Sequence, residues 1–265
     1  MAVENVSRYG AAWSREELIL ALYLYCQIPF ARTKANNPDV IKLASILSRT
    51  PSSVARKLGN FGAFDSLLVN KGITGLTHVG RMDREIWNEF YGRWELLVEQ
   101  SQRLLQTNDV VEIDETEEDL PIISIPKGKT EKSSTVMTRL YQSFFRKAVL
   151  SSYGSRCCIC GIDIPRLLVA SHIIPWSRNQ DTRTDPQNGL CLCTLHDKAF
   201  DKGLMAVNEN YRVIISPRAI LSKAPFTLVS IIDFRGRHIV LPKRFVPKLA
   251  YLEWHHSNIF NLAVQ

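Results

Sequence analysis

Two cysteine knuckles constrain this chain more than any other feature. Cys157-Cys158-Ile159-Cys160-Gly161 spaces two thiols as C-x-x-C, and Cys193-Thr194-Leu195-His196 spaces a thiol and an imidazole as C-x-x-H. Cys157, Cys160, Cys193 and His196 together have the ligand count and the N/S chemistry of a closed, tetrahedral structural zinc site. Residues 161–192 between the knuckles are enough for a whole supersecondary unit, so zinc would staple a small, loop-rich module. Buried free thiols are the competing reading, and the pairing of two knuckles weighs against it. Cys158 and Cys191 lie beside the knuckles as spare ligands, while Cys26 stands alone. Such clustering in a cytosolic chain points to metal rather than disulfides.

Between the knuckles, Leu167 to Ile174 reads as a buried strand ended by Pro175, with His172 near its end. A polar loop, Arg178 to Asp185, leads into Asp185-Pro186-Gln187-Asn188-Gly189-Leu190. Leu195 to Lys202 should be helical, which places Asp197 and Asp201 at i and i+4 on one face. Two carboxylates so spaced can grip one hard divalent cation, Mg2+ or similar.

These residues resemble the HNH endonuclease family, in the branch patterned S-H-I-I-P-W…D-P-x-N-G-L-x-L-C-x-L-H-D-x-A-F-D-x-G. The match runs over Ser171 to Trp176 and Asp185 to Gly203, within a core of about residues 155–216. The resemblance implies a ββα-metal fold, His172 as general base, Asn188 as the central asparagine, and a catalytic metal held from the helix. One ambiguity stays open. Either His196 closes the zinc site and Asp197 takes the place of the last HNH histidine, or His196 is that histidine and the zinc set is incomplete. Ser171 also stands where other members carry Asp or His, which removes one possible metal ligand.

The chemistry suits these residue types. Phosphodiester hydrolysis needs a base for the attacking water, and a neutral imidazole serves near neutral pH. A divalent cation polarises the phosphate and receives the leaving oxygen. An asparagine, as donor and acceptor, can orient the loop or the imidazole.

The rest of the chain reads as a separate helical domain over 1–107, a charged flexible linker over 108–134, and the nuclease domain over 135–265, an α+β protein overall. Ser14 and Glu17 have capping-box spacing before a helix at 14–27. A second helix follows Asn37-Pro38, a short third spans Ser53 to Leu58, and a fourth runs from Asp83 to about Gln106. The first three resemble a Myb- or helix-turn-helix-type bundle, with Arg49, Arg56 and Lys57 as candidates to face DNA; a docking role is the alternative. In the C-terminal half a helix is expected over 138–152, strands at 212–215, 226–232 and 238–241, and a closing helix over 249–260. Trp254-His255-His256 belongs to that helix rather than to a second metal site.

Charge divides the same way. Residues 1–107 carry 13 Lys/Arg and 10 Asp/Glu, residues 108–134 carry 3 and 8, and residues 135–265 carry 17 and 8. The basic C-terminal segment suits a polyanion, with double-stranded DNA the expected partner. No stretch reads as a membrane span, and the N-terminal residues lack a secretory pattern, so a cytoplasmic protein is expected. The function expected is metal-dependent DNA cleavage, in restriction of foreign or modified DNA, with a homodimer supplying two sites for two strands. A non-catalytic zinc DNA-binding protein and a nuclease acting on RNA are the alternatives.

Overall fold

The structure is a computed structural model that describes residues 10–65, 68–69, 80–106 and 129–264. It divides into two compact units, residues 1–147 and 148–265. Most of the acidic linker stretch lies outside the described residues; from Lys129 onward the backbone is helical.

Among the described residues the N-terminal unit is all-helical. Helix α1 (Arg15–Gln27) begins with the capping box that the sequence predicts: Glu17 N–H donates to Ser14 Oγ, and Ser14 N–H donates back to the Glu17 carboxylate at 2.7 Å. Helices α2 (Pro38–Ile46) and α3 (Pro51–Gly62) each start with proline at the first position behind an Asn37 or Thr50 cap. The turn between them turns through Ser48, whose φ is 51°.

The predicted fourth helix is two, α4 (Arg81–Phe90) and α5 (Trp94–Gln106). Gly92, at φ 84°, reverses the chain between them, a left-handed position where glycine has no steric penalty. The core is aromatic: Tyr25 meets Phe30, Phe61 and Trp87 at centroid distances of 5.9–6.3 Å. Helix α6 (Lys129–Ser152) brings Phe144 onto Tyr23 and Trp94.

The C-terminal unit is built on a short antiparallel hairpin, β1 (Leu168–His172) with β2 (Gly189–Cys193). Its register pairs Leu168 with Cys193 and His172 with Gly189. Helix α7 (Thr194–Asp201) follows β2 at once, completing a ββα unit. A second hairpin pairs β3 (Met205–Val207) with β4 (Val213–Ile215), followed by the short helix α8 (Pro217–Ile220).

Two strand expectations fail here. Residues 226–232 form helix α9 (Pro225–Ser230) and a 3-10 turn. Pro225 pre-sets the first helical turn, and Phe226 and Val229 are 70% and 61% exposed, so there is no buried face from which to build a strand. Residues 238–241 make a single bridge, Arg212 to His238, and otherwise bond to loops, Val240 N–H reaching the Cys158 carbonyl. Helix α10 (Leu249–His255) runs on through a π-turn to α11 (Asn261–Val264). His255 is buried with its ring stacked 3.6 Å from Phe200, whereas His256 lies on Phe260.

Candidate active site and metal centre

The first knuckle is a tight turn closed by Gly161 N–H to the Cys157 carbonyl; Gly161 itself sits at φ 79°. The second knuckle is the junction of β2 with α7: Cys193 is the helix N-cap and His196 lies in the first turn. The hairpin thereby brings the two knuckles together. The ligand atoms of Cys157, Cys160, Cys193 and His196 all lie within 4.8 Å of one another.

Zinc–sulfur and zinc–nitrogen bonds of about 2.3 and 2.05 Å at a tetrahedral angle imply edges of about 3.8 Å between sulfurs and about 3.6 Å between sulfur and nitrogen. The observed edges are 3.9 Å for Cys160–Cys193, 3.6 Å for Cys157 to His196 Nδ1, and 3.2 Å for Cys193 to His196 Nδ1. The donor set and its dimensions therefore fit zinc. Hydrogen bonding from Cys193 and His196 holds Cys157 toward the thiolate, while the same contact with Cys157 pushes Cys193 up. His196 Nε2–H donates to the Ser230 carbonyl at 2.9 Å, which leaves the Nδ1 lone pair facing the sulfurs. Cys158 and Cys191 are buried outside this set.

His172 ends β1. Its Nε2 lies 2.9 Å from the Arg183 carbonyl. A carbonyl can only accept, so Nε2 carries the proton and Nδ1 the lone pair. Burial pulls the imidazole down to about 4, against a smaller opposing effect of that hydrogen bond, so the ring is neutral at physiological pH. Asn188 is fully buried at the end of the 3-10 turn that leads into β2. Its side-chain hydrogen bonds go to the main chain. Its Oδ1 accepts from Ile174 N–H, and its Nδ2 donates to the carbonyls of Ile174 and Thr182, at 2.8, 3.0 and 3.1 Å. It thus fixes both ends of the loop whose Arg183 carbonyl orients His172.

Asp197 and Asp201 project from α7. Burial raises both carboxyls, and Asp201, further raised by the Asp197 charge, reaches about 6 although the residue as a whole is exposed. The buried Ser171 hydroxyl, facing Asp197 from β1, favours the carboxylate, although its Oγ falls short of hydrogen-bond geometry. Two hard-oxygen donors one helical turn apart, each raising the cost of the other's charge, have the chemistry to hold a divalent cation with waters and phosphate oxygens as its other ligands. Among the described residues no third His, Cys, Asp or Glu joins them in a compact set like that of the cysteines.

Sequence reasoning missed what the tail supplies. Lys248 Nζ and Tyr251 Oη both bond the Asp185 carboxylate, at 2.7 and 2.9 Å, and Gln187 Nε2 donates to the Val246 carbonyl. Residues 246–251 therefore brace the 185–188 turn. No local motif announces this, because the partners are about 60 residues apart.

In the N-terminal unit the three expected DNA-facing residues have different fates. Arg49 bonds Glu17 through Nε and Nη2 and the carbonyls of Ala11 and Ala12, with side-chain exposures of 4% for Arg49 and 5% for Glu17. Lys57 is paired with buried Asp83 at 2.8 Å. Both cations also lie over the Trp13 ring. Arg56 is the exposed one of the three.

A hairpin carrying a Cys3His cluster that could hold zinc is followed directly by a helix with two carboxylates, with a neutral, carbonyl-oriented histidine at the hairpin's edge, a ββα arrangement. Residues 157–208 match the model of the HNH endonuclease family, so the C-terminal unit carries an HNH domain, of the nuclease type that family defines. A comparison with curated proteins gives no match. No helix among the described residues is long and apolar enough to cross a membrane.

Proposed function

We propose that the protein is a metal-dependent DNA endonuclease, acting in restriction of foreign or modified DNA. The observation that carries this reading is the His172–Arg183 hydrogen bond. It holds a neutral imidazole in one tautomer on the strand that packs against the carboxylate-bearing helix α7. A structural zinc staple needs neither that histidine nor those carboxylates.

In this reading His172 Nδ1 takes a proton from the water attacking phosphorus, and the imidazolium that forms is steadied by its Nε2–H bond to the Arg183 carbonyl. Asn188 keeps that carbonyl in place through Thr182. Asp197 and Asp201 would hold a divalent cation, which supplies Lewis-acid stabilisation of the phosphorane charge and the leaving oxygen. Cys157, Cys160, Cys193 and His196 would hold zinc, which does no chemistry and keeps β2 and α7 in register with the first knuckle.

The N-terminal unit selects the DNA. With Arg49 and Lys57 engaged in the bundle, Arg56 on α3 is left to reach phosphate or a base edge. Cutting both strands calls for two such sites, supplied by two copies of the chain. Incubation of the full-length protein with supercoiled plasmid, modified and unmodified, with Mg2+ or Mn2+ and with chelator, tests the reading. Metal-dependent nicking or linearisation is expected. DNA binding without any cleavage in either metal would instead favour a non-catalytic zinc protein.

A further inference from the structure

Two arginines in this molecule are anchored in different ways, and the difference has a chemical consequence. Arg49, a structural arginine, has Nε and both Nη groups bonded to a carboxylate or to carbonyls. Arg183, in the loop between β1 and β2, is anchored only at its base. Its Nε donates to the Trp176 carbonyl at 2.8 Å, and its guanidinium carbon lies 5.2 Å from the Trp176 ring centroid. The Trp176 ring in turn meets His172 edge-on, with centroids 5.7 Å apart.

Both Nη groups of Arg183 make no hydrogen bond or ion pair among the described residues. The cations that act on Asp197 and Asp201 are Lys198 and Lys202, not Arg183. The loop therefore holds a partly buried arginine whose guanidinium is anchored by one hydrogen bond, lies over one aromatic ring and makes no ion pair among the described residues, and that same ring meets the candidate base. A strut that only closed the loop would have no use for four unbonded N–H donors. A planar fork of this kind matches two oxygens of a phosphodiester, and its pre-organisation lowers the entropy lost on binding.

We infer that Arg183 is a catalytic residue that contacts the non-bridging oxygens of the scissile phosphate through Nη1 and Nη2, while its own backbone carbonyl orients His172. This inference rests on the nuclease reading above. One residue then couples the position of the base to the position of the phosphate that the activated water attacks.

The test uses full-length wild type, Arg183→Ala, Arg183→Gln and His172→Ala on one DNA duplex with Mg2+. Arg183→Gln keeps a side-chain stem and an amide beside Trp176 if the alanine variant fails to fold; zinc content and thermal midpoint report folding. Removing one charge-stabilising donor should slow single-turnover cleavage by about 10²-fold. DNA affinity should change by less than about threefold, because one phosphate contact among many is lost. The rising limb of the pH–rate profile should stay in place. Millimolar guanidinium should restore at least part of the loss in the Arg183 variants and nothing in His172→Ala.

Cleavage within threefold of wild type by both Arg183 variants overturns the inference. So does a loss that guanidinium fails to rescue and that moves the pH limb, which would make Arg183 a strut acting through His172. A wild type that binds the duplex but never cuts it overturns the nuclease reading itself, and the inference with it.

Discussion

Asn188 grips both main-chain polar groups of Ile174, accepting from its N–H at 2.8 Å and donating to its carbonyl at 3.0 Å. This reciprocal pair, with the further bond to the Thr182 carbonyl, makes the central asparagine of the motif a loop clamp. Asn188→Ala strands one buried N–H and two carbonyls. It should destabilise the C-terminal unit by roughly 3 kcal/mol, since each unsatisfied buried group costs about 1–3 kcal/mol and part is recovered by relaxation. Cleavage should fall with it, even well below the unfolding temperature. Chemical denaturation and cleavage rate, measured side by side, check both; a fully active, fully stable Asn188→Ala protein would show that the clamp is dispensable.

The zinc assignment separates His196 from Asp197. His196→Ala and Cys193→Ser should each lower bound zinc well below one per chain and unfold the C-terminal unit, as loss of a structural metal does. Asp197→Ala should keep its zinc and its fold, and raise the Mg2+ concentration needed for half-maximal cleavage. Elemental analysis of the three purified proteins decides it, and zinc lost from Asp197→Ala would reverse the assignment.

In the N-terminal unit, Arg49→Ala removes the guanidinium bonded to the buried Glu17 carboxylate beside the α1 cap. Breaking a buried pair from one side costs about 3–5 kcal/mol, so a Tm drop of several degrees or more is expected. Arg56→Ala should leave stability within about 0.5 kcal/mol and weaken DNA binding. Thermal unfolding and a DNA titration on the two variants would separate the roles; equal destabilisation by both would deny the distinction drawn between them.

His255 gives a pH signature. Burial holds its imidazole down to about 4, from an ordinary 6.5, and its Nδ1 has no hydrogen-bond partner. Folding thus favours the neutral ring. The stability that it contributes is fully present above pH 6.5 and is lost as pH falls through about 4, amounting to about 3 kcal/mol. His172 behaves alike, while Asp197 and Asp201, shifted upward, act in the opposite sense. All three are common to wild type and His255→Phe, which keeps the stack on Phe200. The variant gives up the His255 Nε2–H bond to the Phe200 carbonyl, so its midpoint at pH 7.5 should be the lower one, and wild type should lose more stability than the variant on going to pH 4.5. Parallel pH curves would remove His255 from the account.

Much of this molecule was legible in the sequence, and what was legible was local. The capping box at Ser14 and Glu17, the prolines opening α2 and α3, and the knuckle spacings are patterns whose physics acts within a few residues. Other readings turn on partners distant in sequence. Arg49, just before a short basic helix, and Lys57, within it, look like surface cations, but Glu17 and Asp83, 32 and 26 residues away, draw them inward. Phe226 to Ile232 has strand composition, yet Pro225 starts a helix and no neighbouring strand accepts the segment. The brace from Lys248 and Tyr251 to Asp185, and the Ser230 carbonyl behind His196, join positions that no periodicity relates. Whether His196 belonged with the cysteines or with the carboxylates also waited on the fold, because both partners sit within one turn of the same helix.

The base role of His172 is tested most directly by the rate of Mg2+-dependent plasmid cleavage by His172→Ala against wild type, with zinc content and DNA affinity measured on the same preparations. Loss of a positioned base should lower the rate by about 10²- to 10⁴-fold while zinc and DNA binding stay at wild-type levels. Cleavage by His172→Ala at close to the wild-type rate would contradict it.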